Sequence, residues 1–236
     1  TKSDPKWANI NLVAKKLKTL SLVSEELMED SAIALGDFFA QEIALAFAEA
    51  EDQAIFNGDG TSTYGGITGI LSFAGAGSTV TAATGNTAFD TLDLADFHKV
   101  TGALPRYAVN GAKWYCSQQG FANSMERLAH AQGGVTRTET EQGSQLSFLG
   151  YPVEIAQVMN STLTAQTSTN VLALGNLAQG VLFGDRVAAD IKTSEDRYFD
   201  TDQIAVKGRE RLSIKCHDFD HASTAGPIIV LATPGS

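Results

Sequence analysis

Residues 31–60 read SAIALGDFFAQEIALAFAEAEDQAIFNGDG. Between positions 32 and 56 there is no proline and a single glycine, Gly36. Ala, Leu, Glu and Gln dominate, and these lose little on entering a helix. Apolar side chains recur at Leu35, Phe39, Ile43, Ala46, Ala50 and Ala54, in the steps of three and four that mark one helical face. Asp30 and Ser31 carry short side-chain oxygens suited to N-capping. Asn57-Gly58-Asp59-Gly60 tolerates positive φ and stops the helix. The spacing therefore predicts one helix over 32–56, a rod of roughly 37 Å at about 1.5 Å per residue.

The charge on this rod is lopsided. No Lys or Arg lies between Lys18 and Lys99, an interval that holds thirteen acids. Glu49, Glu51 and Asp52 sit towards the helix C-terminus, the negative end of its dipole. Each such placement costs roughly 0.3–1 kcal/mol if nothing compensates. Either the acids form a solvated face, or basic groups from elsewhere in the chain or from another subunit sit against them.

The whole chain has 236 residues and a formal charge of −10. That length can bury a core as one large domain or two small ones. The negative balance argues against general nucleic-acid binding, which needs a basic footprint. The distribution is uneven: residues 1–18 are net +4, residues 19–98 net −13, and the remainder net −1. A basic arm on an acidic body fits charge complementarity within or between copies, or a basic tail in solvent. The longest apolar runs, 43–48 and 228–232, are too short to span a bilayer. Cys116 and Cys216 fit a reducing compartment and make no disulfide framework. The sequence begins at Thr1 without a signal peptide, so a processed or trimmed product is expected.

Along the chain, 1–18 reads as an extended arm, 17–23 as a strand and 24–30 as a short helical turn. Residues 64–73 are glycine-broken and irregular. Residues 74–88 form a loop with at most one short strand. Asp93 and Asp96 approximate a capping box for a helix carrying Leu94, Phe97, Val100 and Leu104, ended by Pro105. Residues 112–116 are a short strand. Ser117 caps a helix through Phe121, Met125 and Leu128. Residues 135–147 are polar and aperiodic and read as a loop. Short strands follow at 151–156, 171–174, 180–184 and 187–193, with a Ser/Thr-rich surface loop at 160–170.

The strongest strand is 203–216. Its even positions include Ile204, Val206, Leu212, Ile214 and Cys216; its odd positions include Lys207, Arg209, Arg211 and Lys215. That is a half-buried strand with one basic face. Gly208 is a candidate bulge that would shift this parity. Glu210 falls on the apolar side. If buried it needs an Arg or Lys partner; if the bulge turns it outward, it does not. A last strand covers 227–233. The order is not the alternation of a doubly wound sheet, and the fold class is α+β with the middle inserted into a first layer.

Several local words in this order are distinctive. They are Glu51-Asp52-Gln53-Ala54 leading into Asn57-Gly58-Asp59-Gly60, then Gly65-Gly66-Ile67, Leu149-Gly150-Tyr151-Pro152-Val153, Phe183-Gly184-Asp185, and 202–211 (DQIAVKGRER). With this order and spacing, the chain resembles the major capsid proteins of tailed phages with the HK97-like fold, over essentially its whole length. The resemblance implies a spine helix, a peripheral domain at 19–69 and 178–216, and an axial domain at 70–177 and 217–236. Residues 1–18 would be the remnant of the extended loop that overlaps a neighbouring subunit. It implies a structural, non-enzymatic protein that forms hexamers and pentamers of an icosahedral shell around double-stranded DNA. Portal, scaffold or protease, and decoration proteins are the further partners implied. No sequence-specific DNA contact, membrane, cofactor or metal is expected. The location implied is the virion, and the host cytoplasm during assembly.

Relative to the family pattern, the N-terminal arm and the outgoing strand of the extended loop do not precede Thr1. Some members crosslink subunits through a Lys–Asn isopeptide bond. Lys2 lies near the lysine position, but the matching part of the long strand carries Asp202, so no crosslink is expected. The expected subunit contacts are Lys2, Lys6, Lys15, Lys16 and Lys18 on the arm side, with Glu42, Glu49 and Asp52 opposing them. Glu210 and Arg211 on the long strand are further interface candidates. An encapsulin-like nanocompartment that holds protein cargo is the alternative shell. The enzymatic alternative rests on 216–221 (CHDFDH), where His217 and His221 have a metal-like spacing. Strand alternation there points neighbours to opposite faces. Cys116 with His98 or His130 is the other nucleophile candidate, against a plain core cysteine. The glycines of 58–69 do not fit a phosphate loop.

Overall fold

The computed structural model describes residues 9–30, 35–131, 137–140 and 143–235. In chain order the elements begin with β1 (Lys15–Ser24), α1 (Glu25–Asp30), the long helix α2 (Leu35–Asn57), a helical turn α3 (Ile70–Phe73), β2 (Thr79–Thr81) and α4 (Leu94–Ala103). Then come β3 (Lys113–Cys116) and α5 (Gln118–Gly120), which continues through a π-wound stretch into α6 (Arg127–Ala131). Strands β4 (Arg137–Thr140), β5 (Gly143–Phe148), β6 (Tyr151–Ile155), β7 (Asn170–Gly175), β8 (Val181–Tyr198), β9 (Gln203–Cys216) and β10 (Ile228–Ala232) complete the chain. It is α+β and forms two compact units. One holds the described residues up to Phe47 with Phe183–Lys215; the other holds Ala48–Leu182 with the chain from Cys216 onward.

The first unit is built on a three-stranded sheet in the order β1-β9-β8. β1 and β9 are antiparallel, and their register runs unbroken from Lys15 opposite Leu212 to Ser24 opposite Gln203. There is therefore no bulge at Gly208, the candidate position for one. The parity of β9 holds, and Ile204, Val206, Gly208, Glu210, Leu212 and Ile214 are all buried. One face of the sheet packs on the first half of α2, where Val23, Ile43, Phe47 and Val206 form a small core flanked by Leu17 and Phe39. Glycine at 208 is required by this approach. A Cβ there would lie 2.6 Å from Ile43 Cγ2 and 3.0 Å from Phe47 Cζ.

The helix is 23 residues long. Its buried stripe runs through Ile43, Phe47 and Ala54, so Phe47 takes the place expected for Ala46, which is exposed. A large aromatic one position on gains far more from burial than alanine does. Asp30 is the last residue of α1, and the expected capping by Asp30 and Ser31 falls on side chains outside the described ones. At its far end the helix is clamped by Asn57, whose Nδ2 donates to Val158 O at 2.6 Å and Gln53 Oε1 at 3.1 Å. The Asp59 carboxylate accepts from Thr61 N at 2.9 Å, and Gly60 takes φ +81°, so the chain turns sharply away.

The second unit holds a mixed seven-stranded sheet, β2-β10-β7-β3-β6-β5-β4. β10 runs parallel to β2 and β3 runs parallel to β6; the other pairings are antiparallel. Every residue of β10 is buried, because both sheet faces are covered. Trp114, Leu172, Leu174, Ile229 and Leu231 face a core with Phe97, Val100 and Phe121. Tyr115, Ala173, Ile228 and Val230 face a second core with Phe56, Ile70 and Phe219. The segment expected as a loop at 135–147 contains the β4–β5 hairpin. β4 has no apolar residue and forms the edge of the sheet, held by backbone pairing, whereas β5 contributes Leu146 and Phe148 to the core. The two strands expected at 180–184 and 187–193 are one, β8.

Candidate assembly surface

The alternation of β9 sends Lys207, Arg209 and Arg211 to the sheet face away from α2, and all three are exposed. The register of β1 puts its own side chains beside them. Lys16 lies opposite Arg211, Lys18 opposite Arg209 and Leu20 opposite Lys207. Like charges directly opposite on one sheet face are destabilising. Asp190 of β8 relieves one of them: its Oδ2 lies 2.8 Å from both Nε and Nη2 of Arg209. Among the described residues, Lys16, Lys18, Lys207 and Arg211 make no ion pair. Lys15 is also exposed on β1, while Lys2 and Lys6 lie outside the described residues. This face is not purely polar. Leu20 and Leu22 on β1 are both 45% exposed.

The solvent side of α2 is its counterpart in sign. Glu42, Glu49 and Asp52 are exposed, and at 100° per residue they fall on one side of the helix. Phe38 and Leu45 lie on that same side, 48% and 64% exposed. Their outward placement was not legible in the sequence, because the helix is apolar on more than one face. Glu210 sits at the edge of the first unit's core, opposite Leu17 and 9% exposed. It borders a 220 Å³ cavity with Lys16, Val187, Arg209 and Arg211. None of these cations forms an ion pair with it within the described residues. Its carboxylate keeps contact with the cavity, since no buried side-chain polar atom among the described residues lacks a partner.

The enzymatic candidates are placed as follows. Cys116 is fully buried in the second unit's core, and burial pushes its thiol up to about 12. A thiolate nucleophile needs the opposite shift. His217 Nδ1 lies 3.1 Å from Asp218 Oδ2, and Phe219 between the polar residues is buried. Among the described residues no group of three His, Cys, Asp or Glu side chains is placed to share a metal ion, and no helix is long and apolar enough to cross a membrane.

What remains as a candidate functional feature is a pair of charged, partly apolar surfaces of opposite sign. The model of the phage capsid family matches residues 1–222. The chain belongs to the phage capsid family. No curated protein sequence matches it. Among solved structures, the capsid of a native GTA particle matches 95% of this chain and 74% of its own, with a TM-score of 0.74 at 20% identity. A Mycobacterium phage Bobi chain matches with a TM-score of 0.66 at 19% identity, covering 95% and 73%. An encapsulin complex from Synechococcus elongatus matches with a TM-score of 0.62 at 14% identity, covering 93% and 74%. At these identities the likeness is one of fold.

Proposed function

We propose that this chain is the major capsid protein of a tailed phage or prophage. It assembles into hexamers and pentamers of an icosahedral shell that encloses packaged DNA. The observation that carries this reading is the family match over 1–222, joined to a fold shared with the capsid of a native GTA particle across most of both chains. On this reading α2 is the spine helix, the first unit the peripheral domain and the second the axial domain. The divisions drawn from sequence differ from the compact units in placing 48–69, 178–182 and 216 with the peripheral body. The protein acts by shape and repeated interfaces rather than by catalysis, since a closed shell multiplies modest contacts. Lys2, Lys6, Lys15, Lys16, Lys18 and Arg211 are the basic interface residues of this reading; Glu42, Glu49, Asp52 and Glu210 are the acidic ones. Portal, scaffold or protease, and decoration proteins are its further partners, and assembly takes place in the host cytoplasm.

The test is the mass in solution, by light scattering, of this chain and of one extended upstream. Capsomer or megadalton species are expected, and Glu49→Lys is expected to weaken assembly at low salt. A strictly monomeric protein at all concentrations and ionic strengths would count against the shell. The likeness to an encapsulin supports a second reading, a nanocompartment with protein cargo. The contents of purified shells separate the two: double-stranded DNA for the first, one stoichiometric protein for the second.

A further inference from the structure

The first unit has two layers, and its two outer faces are of opposite sign. Ile43 and Phe47 hold α2 against the inner face of the sheet at Gly208. The exposed side of α2 and the exposed side of β1–β9 therefore point away from each other. Within the first unit, Glu42 on the outer side of α2 lies on the face opposite to that of Lys18 and Arg211. Each face nevertheless has the composition of a contact. The helix side sets Phe38 and Leu45 beside Glu42, and the same stripe of α2 continues beyond the first unit through Glu49 and Asp52. The sheet side sets Leu20 and Leu22 beside cations that repel one another across the strands.

We propose that the sheet face of one copy docks on the helix face of a second copy, head to tail, with Leu20 and Leu22 meeting Phe38 and Leu45. This rests on the shell reading and deepens it by naming the surfaces. The charge complement supplies the partner's identity. The helix acids relieve the repulsion of Lys16 with Arg211 and meet Lys18, whose neighbour Arg209 is already paired with Asp190. The sheet cations in turn stabilise acids that lie towards the negative end of the helix dipole. The apolar residues supply the non-directional part of the contact and the charges its orientation. Because two different surfaces meet, the contact is heterologous. Such contacts close into rings when the rotation allows.

The experiment mixes two full-length variants, Leu20→Cys and Leu45→Cys, and oxidises them gently. The native thiols Cys116 and Cys216 are buried. A disulfide-linked band at twice the 25.0 kDa of the chain is expected in the mixture, several-fold above either variant alone. It should fall several-fold in high salt, where the screening length shortens from about 10 Å at 0.1 M to about 3 Å at 1 M. Tyr107→Cys in place of Leu45→Cys is the control and should give no such band. Assembly without the crossed band overturns this contact and leaves the shell reading standing. The crossed band without any higher assembly supports the contact and counts against the shell. A protein that neither crosslinks nor assembles overturns both. A sheet face whose charge reversal at Lys18 and Arg211 removes bound nucleic acid and leaves assembly intact is a nucleic-acid surface, and that also overturns the proposal.

Discussion

Ile43 occupies the space that a side chain at position 208 would need. A Cβ on Gly208 would fall 2.6 Å from Ile43 Cγ2, a β-branched methyl with little freedom to turn aside. Glycine in a strand costs about 0.5–1 kcal/mol relative to alanine, so relief of that cost opposes the clash. Overpacking costs about 1–3 kcal/mol, and it wins. Gly208→Val should lower the denaturation midpoint of the first unit, and Gly208→Ala should do so less. Adding Ile43→Ala should recover part of the Gly208→Val loss, since the two sites share one volume. A Gly208→Val protein as stable as the parent would refute the close approach.

Asp96 is the second relationship to test. Its carboxylate is fully buried. It accepts from Ala83 N at 2.9 Å, Asn86 Nδ2 at 2.5 Å and Lys99 Nζ at 3.0 Å, pinning the 82–88 loop to the start of α4. Burial pushes its pKa up, but the donors from Asn86, Lys99, Ala83 and Asp93 outweigh that and hold it below the ordinary value. A depressed folded pKa contributes stability above the unfolded value, and this is lost as the pH falls through the folded one. Asp96→Asn should therefore be destabilised most at neutral pH, with the gap to the parent closing in acid. Asp96→Ala should cost about 1–3 kcal/mol at neutral pH by orphaning buried donors. Urea midpoints from pH 2 to pH 7 check the sign; a gap that widens in acid would refute it.

The parts of this fold that were legible are those where local chemistry and tertiary packing agree. The Asn57–Gly60 stop works because Asn57 both leaves the helix and finds Val158 O. The basic parity of β9 survives because Gly208 makes room for the helix instead of bulging. What was not legible depends on pairing. Arg137–Thr140 has no apolar alternation and is a strand only because Gly143–Phe148 lies beside it. Gly184 reads as a break yet lies inside β8. At the candidate surface, the cations could be counted in sequence. That Lys16 faces Arg211 could not, because it follows from the register of two distant strands. The outward aspect of Phe38 and Leu45 was equally hidden, since Phe39 and Phe47 beside them point the other way.

Cys116 gives a chemical readout of the second unit. It is fully buried, and its thiol is pushed up to about 12 by burial, so at pH 8 almost none is thiolate in the folded chain. In the unfolded chain its pKa returns to about 8.5 and it reacts readily. Labelling of Cys116 by an aromatic disulfide, followed in Cys216→Ala, should track unfolding of this unit across a urea series. Rapid labelling without denaturant would show that the site opens locally.

Asp190 ties the stability of the first unit to its charge. Asp190→Asn removes the carboxylate from Arg209 and leaves Arg209 opposite Lys18, next to the facing pair Lys16 and Arg211. A surface pair of this kind is worth about 0.2–1 kcal/mol, so the direct loss is small. The exposed repulsion it uncovers is screened by salt. Asp190→Asn should thus lose stability at low ionic strength and recover most of it near 1 M salt. Arg209→Gln, which removes a cation instead, should be less salt-dependent than the parent. If contact with a second copy neutralises this face, the assembled form of Asp190→Asn should lose less stability than the free subunit. Denaturant midpoints on free and assembled protein at two salt concentrations make the comparison. Equal losses in both forms at low salt would mean that the face stays open to solvent in the assembly.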